Sequence, residues 1–286
     1  MLKLVSSFSF TIFIAILSGI ATGGFPRFGT EIATASLILA MIFSISNISF
    51  KVNFKEETKE ILLSLMLNYG FLSSIIIAMG YIMRDYFEGF IVMASAPPAV
   101  AIVPLTSILK GDKKHSLFSL IFLYLASIIL MPLIIFIFLS EKVEFSILIK
   151  NVLMLILFPI IVSRIFYRKI NERYSKIITN ICFFLIVFSV IGKNRQFIFE
   201  DYFILIPLSA LMFIRTFVTS TIIKKFSTKI FGEERAVSHA LFSSFKNEGL
   251  IMIIASSLFS YSTALPAIVA LIFEMILICC MEAKMI

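Results

Sequence analysis

Residues 243–250 read Ser243-Ser244-Phe245-Lys246-Asn247-Glu248-Gly249-Leu250, in the middle of a stretch, 236–259, that is otherwise apolar enough to span a bilayer. A charged side chain at bilayer depth costs about 2.5–3.5 kcal/mol on insertion scales. Two full charges close together there are kept where they face a partner, a cavity or a substrate path. Lys246, Asn247 and Glu248 are therefore candidate binding residues, with Ser243 and Ser244 beside them.

The rest of the chain places this stretch in a membrane. Its 286 residues are 60% hydrophobic and 15% charged, with 32 phenylalanines and a mean hydropathy of +1.05. Soluble domains carry about 25% charged residues. Runs long enough to cross hydrocarbon recur from end to end, near residues 4–24, 29–49, 61–83, 89–109, 116–140, 145–167, 175–192, 202–223, 236–259 and 263–283. The expected fold is an all-α polytopic membrane protein of ten transmembrane helices, in one unit spanning 1–286. No cleavable signal peptide is expected, because the first segment lacks a small-residue cleavage site and leads straight into another span. The net charge of +8 does not indicate nucleic acid, because the basic residues sit in alternate loops. One side collects 17 Lys and Arg, among them Lys3, Lys51, Lys110, Lys113, Lys114, Arg164, Arg168, Lys224, Lys229, Arg235 and Lys284, against 6 on the other. The positive-inside rule then places both termini in the cytoplasm of a cell-membrane protein in contact with lipid headgroups.

Ten spans divide into five plus five, 1–142 and 143–286, and an odd-numbered repeat inserts its second copy upside down. In each half the fourth segment is interrupted. Segment 4 contains Ala96-Pro97-Pro98 and Pro104. Each proline removes a backbone donor and clashes with the preceding turn, so Pro97 and Pro98 mark a break rather than a kink. Segment 9 is broken by Lys246-Asn247-Glu248-Gly249. Matching interrupted helices in two halves point to a secondary-transporter site. Unwound backbone at that depth survives only where protein buries it or a cavity solvates it.

At these two breaks the chain resembles the bile acid:sodium symporter family, and more widely the superfamily that includes arsenite permeases. The resemblance rests on Ala96-Pro97-Pro98, the exit Leu109-Lys110-Gly111-Asp112, and Lys246-Asn247-Glu248-Gly249-Leu250. It implies a panel of segments 1, 2, 6 and 7, and a core of segments 3–5 and 8–10 in which discontinuous helices 4 and 9 cross. Substrate would bind beside the crossing and be carried by alternating access. The departures bear on coupling. Where sodium-coupled members place Ser-Asn after the proline stretch, this chain has Ile102 and Val103. Where they place Glu and Gln ahead of the Asn, it has Phe242 and Lys246. Asn68 and Thr106 retain oxygens but do not complete a sodium site. Pro98 stands where arsenite carriers have a cysteine. The resemblance therefore implies a secondary transporter of a small organic anion that is not coupled to sodium in the usual way. The Lys246 ammonium either stands in for the ion or cycles its own proton.

The remaining polar residues carry alternatives. Lys246 pairs with Glu248 or Glu274, or contacts substrate. Arg215 and Glu274, both deep, read as a structural ion pair. Asn68 either bridges helices or touches substrate. The flanking hydroxyls of Ser243, Ser244 and Thr106 re-satisfy freed backbone or bind. His239 is expected at the cytoplasmic interface. Cys182, Cys279 and Cys280 read as packed thiols. A passive channel or a sensor on the same scaffold is the rival function. An enzyme is not expected: Asp85, Asp112 and Asp201 lie in loops, only two histidines occur, and no metal-spaced set or phosphate-cradling loop is present. No cofactor or metal is expected.

Overall fold

In hydrocarbon a chain satisfies its backbone donors and acceptors only within a helix or a closed barrel. Leu-, Ile- and Phe-rich runs without strict alternation leave the helix. The computed structural model describes residues 8–47, 54–140, 142, 145–167, 169–200 and 202–282, and among them no strand occurs. Lys3, Lys51, Arg168 and Lys284, counted above toward the basic side, lie outside the described residues.

Two helices, α1 (Phe8–Thr22) and α2 (Gly29–Ser46), form the first hairpin. Then α3 (Phe54–Leu65) runs through a π-helical turn (Met66–Leu72) into α4 (Ser73–Ile82). Next come the short α5 (Phe87–Ser95) and α6 (Ile102–Ile108), followed by the long α7 (Lys113–Leu139). The second half begins with α8 (Phe145–Val152), a π turn (Leu153–Leu157) and α9 (Phe158–Ile165). It continues with α10 (Glu172–Glu200), then α11 (Tyr202–Phe213), a π turn (Ile214–Val218) and α12 (Thr219–Phe231). It closes with α13 (Glu233–Phe242), α14 (Glu248–Leu258) and α15 (Leu265–Glu282).

Among the described residues, seven helical stretches are long and apolar enough to cross a membrane, and two more, Phe10–Thr22 and Glu248–Leu258, are apolar but shorter. The chain is a multi-pass membrane protein. The expected fourth and ninth spans are not continuous helices, because α5 stops before α6 and α13 stops before α14. Each interruption leaves two pieces shorter than the bilayer is thick. Several helices also outrun their apolar segments. Lys193 and Arg195, read as loop residues, lie on α10, and Lys224, Lys225 and Lys229 lie on α12. The hydropathy run ends where the bilayer does, while helical propensity continues into water.

Packing falls into recognisable neighbourhoods. The long α10 lies along α2 and α1, and α9 packs on α2. At its tightest point a Cβ added to Gly192 of α10 would sit 2.2 Å from the Gly24 nitrogen, so only glycine permits this approach. Elsewhere α5 packs on α4 and α7, α13 on α12, and α15 on α11 and α14. Cys182 is buried as expected, but Cys279 is exposed on α15, on an outer face that needs no thiol partner in lipid.

Candidate functional site

Both breaks arise from local chemistry. Proline disfavours helical geometry in the residue before it, and Ala96 is extended, with φ −68° and ψ 151°. The α5 helix ends there, leaving carbonyls near its end without helical donors. In the second break α13 ends at Phe242, and Asn247 restarts the chain as the N-cap of α14, its side chain accepting from the Leu250 N–H at 3.1 Å. Ser243 and Ser244 donate to the Ala240 carbonyl, so both hydroxyls serve the broken backbone.

The breaks meet. The Asn247 N–H donates to the Pro97 carbonyl at 2.9 Å. Lys246 is fully buried. Its Nζ donates to the carbonyls of Ala96 at 2.8 Å and Ala94 at 3.1 Å, and lies 3.0 Å from Asn68 Oδ1 and 3.1 Å from Ser73 Oγ. The Tyr69 ring lies under it at 4.4 Å, a cation–π arrangement. Three ammonium protons are thus shared among four oxygens and a ring. Asn68 finishes the network by donating Nδ2 to the carbonyls of Phe242 at 2.9 Å and Phe245 at 3.1 Å. Asn68 therefore serves the orphan carbonyls of one break and Lys246 those of the other, and the two side chains bond each other between them.

A second charged group lies alongside. Arg215, fully buried, reaches Glu248 at 2.7 Å and Glu274 at 3.0 Å. The Lys246 backbone N–H also donates to Glu274 Oε1 at 3.3 Å. The structural pair read for Arg215 and Glu274 is present, extended by Glu248. The Lys246 ammonium is held by neutral oxygens, and the pairing with Glu248 or Glu274 that the sequence allowed is taken by the guanidinium. Two positive and two negative side chains leave the region neutral. Asn68 and Arg215 both project from π turns, local insertions that re-aim side chains and often mark functional sites.

Beside the crossing is a small cavity lined by Ala99, Val100, Ala101, Lys246, Asn247, Glu248, Glu274 and, from α10, Phe183. The space a water can enter is about 30 Å³, within a wider cleft of about 360 Å³ counted to its open mouth.

The candidate residues do not all come together. Pro97 and Pro98 are buried at the crossing with Lys246, Asn247 and Glu248. Thr106 is elsewhere: its hydroxyl donates to the Ile102 carbonyl at 2.6 Å and lies 3.0 Å from Ser116 Oγ, which continues to Ser238 at 2.9 Å. Ser73, Tyr69 as a cation platform, and Tyr124, whose hydroxyl meets Asn247 Nδ2 at 2.8 Å, were not read as site residues. Their only sequence signal is a polar group near an interrupted span. His239, expected at the interface, is buried, because α13 folds it against Phe231 of α12 and His115 of α7.

Two interrupted helices joined through their unwound segments, with buried charge at the junction, are features of a membrane carrier. The sequence model of the sodium bile acid symporter family matches residues 32–201, more than half of the chain, and the protein belongs to that family of transporters. The matched stretch includes the first break and ends before Lys246. No curated protein matches the chain.

Proposed function

We propose that the protein is a secondary transporter of a small organic anion, working by alternating access, in which the Lys246 ammonium takes the place of a coupling cation. The observation that carries this reading is the oxygen shell around Nζ, contributed by Asn68, Ser73, Ala94 and Ala96. A compact cage of carbonyl, amide and hydroxyl oxygens is the environment a hard cation prefers, and here a covalently attached cation fills it. Ile102, Val103 and Phe242 offer no side-chain oxygen that would hold an ion nearby, so sodium is not the expected driver. Proton coupling runs through Lys246 or the Glu248–Arg215–Glu274 cluster.

The substrate class rests on the cavity. Lys246 lines it, the two glutamates that line it are paired with Arg215 behind them, and the amino ends of α6 and α14, both lining it, add a positive bias. The water-accessible space is far below the 300–1,000 Å³ of ligand pockets, so substrate entry requires the cleft to widen. Phe183 marks where: it belongs to α10, which packs with α1 and α2, as α9 does with α2, whereas the rest of the lining comes from the crossing and α15. We assign α1, α2, α8, α9 and α10 to a panel and the remaining helices to a core that moves against it. This arrangement fits ten spans in two inverted repeats, with matching π turns in the third and eighth, a further one in the sixth, and breaks in the fourth and ninth. Lys246 and Ala96 stand 150 residues apart along the chain. The excess of Lys and Arg on one side supports a cell-membrane protein with both termini in the cytoplasm.

Proteoliposomes loaded with organic anions test this. Saturable uptake with counterflow, indifferent to a sodium gradient, is the expected result. Sodium-dependent uptake by the unmodified protein would sink the stand-in role of Lys246, and unsaturable, uncoupled flux would favour the channel. Lys246→Gln, which empties the cage of its cation, is expected to lose anion transport or acquire sodium dependence.

A further inference from the structure

Away from the crossing, at the end of the molecule carrying the basic loops, three polar side chains from three helices converge. Glu60 comes from α3, His115 from the first turn of α7 and His239 from α13. The chain contains only two histidines, and both are here. Glu60 Oε2 lies 3.9 Å from His115 Nδ1 and 3.7 Å from His239 Nε2, and the three atoms fall within 4.8 Å of one another. These gaps are too long for hydrogen bonds. Glu60 Oε2 and His239 Nε2 are buried and have no hydrogen-bond partner, and His239 is only 1% exposed. Orphaned polar atoms in a buried place require an explanation.

The outer nitrogens of the two rings are already engaged. His239 Nδ1 bonds Ser227 Oγ of α12, and His115 Nε2 bonds Ser64 Oγ of α3 at 3.1 Å. With each hydroxyl accepting the ring N–H, the opposite nitrogen of each imidazole presents a lone pair to the gap. Outer partners of this kind orient metal-binding histidines. Two imidazoles and one carboxylate, with a fourth position open, form a ligand set for zinc-type ions. A point equidistant from the three atoms is at most about 2.5 Å from each, so closure by a few tenths of an ångström reaches bonding distance. The facing charges favour a cation. Arg235 holds Glu60 Oε1 at 2.6 Å and lies 3.7 Å from Asp112 Oδ2, so two carboxylates face one guanidinium. The frame is braced, because Asp112 caps the helix that bears His115 and its N–H bonds the Glu234 carbonyl in the first turn of α13.

We propose that Glu60, His115 and His239 bind one borderline divalent transition ion of the zinc class, with water in the fourth position, tying α3, α7 and α13 together. The site is independent of the transport reading. The test uses the full chain, purified in detergent without a polyhistidine tag. Titration with Zn²⁺ is expected to show one ion per chain with micromolar or tighter affinity. Co²⁺ is expected to give the intense visible absorption of a four-coordinate, nitrogen-ligated ion. Zn²⁺ should also protect both histidines of the unmodified protein from carbethoxylation. His239→Gln and Glu60→Gln should each weaken binding at least tenfold, and Ser227→Ala by about tenfold. Absence of saturable 1:1 binding, a six-coordinate cobalt spectrum, histidines equally reactive with and without Zn²⁺, or undiminished binding by His239→Gln would overturn the site. The cobalt and protection measurements need no variant, so they decide even where a substitution misfolds.

Discussion

Lys246 and Arg215 are two buried cations treated oppositely. The ammonium, a compact charge with three donors, is surrounded by neutral oxygens, while the guanidinium meets both carboxylates through one nitrogen, Nη2. Removing one member of a buried charge cluster strands the others, a loss of about 3–5 kcal/mol. Arg215→Met is therefore expected to lower the unfolding temperature sharply in detergent, since Glu248 and Glu274 then share no guanidinium. A thermal scan matching the unmodified protein would refute that. Asn68→Leu keeps volume but removes the donors to Phe242 and Phe245. Each orphaned carbonyl is worth about 1–3 kcal/mol, so a clear loss of thermal stability is expected with Lys246 intact. Lys246, Asn247, Glu248 and Asn68 were legible in the sequence because polar atoms stand out against an apolar run. Ser73 and the carbonyls of Ala94 and Ala96 were not. A serine in a membrane helix carries little signal, and every residue has a carbonyl; only the break makes these exposed.

At the level of elements, the interruptions are set by local chemistry and the crossings by close approach. Pro97 and Pro98 end α5 whatever surrounds them, and Asn247 restarts α14 by capping it. Both breaks were visible from composition alone. Tight approaches are different. A Cβ on Gly89 of α5 would meet the Thr263 carbonyl oxygen at 2.3 Å, and one on Gly192 would strike the Gly23–Gly24 backbone. Neither neighbour is a side chain that can turn away. Gly192→Ala is expected to destabilise by about 1–3 kcal/mol through overpacking and to loosen α10 from the α1–α2 hairpin. Chemical unfolding should show a lowered midpoint, whereas Gly70→Ala, where a Cβ meets nothing within 4 Å, should be close to neutral. The three π turns were not anticipated, because an inserted residue leaves no periodic trace in a segment apolar on every face.

Across the whole molecule, one polar link from the α1–α2–α10 neighbourhood to the rest is Lys193 of α10, whose Nζ lies 2.7 Å from Thr30 Oγ1 of α2 and 2.6 Å from Tyr261 Oη, ahead of α15. If the core moves against the panel, this contact must open and close. Cysteines at positions 30 and 261, in a chain whose native Cys182, Cys279 and Cys280 are replaced, should be joined by a bifunctional thiol reagent. Uptake should fall when they are joined, and undiminished uptake by the linked protein would exclude movement there. The sequence by itself determined that this chain lives in a bilayer, that it is helical, and that two interrupted segments carry its buried charge. Those properties follow from hydrocarbon excluding unpaired polar groups, which is a local constraint. Only the tertiary structure decided which charge meets which partner. It gave Lys246 to neutral oxygens and both glutamates to Arg215, moved Thr106 away from the crossing, and brought Glu60, His115 and His239 together. Residues far apart along the chain become neighbours only through helix packing, and no local pattern records that distance.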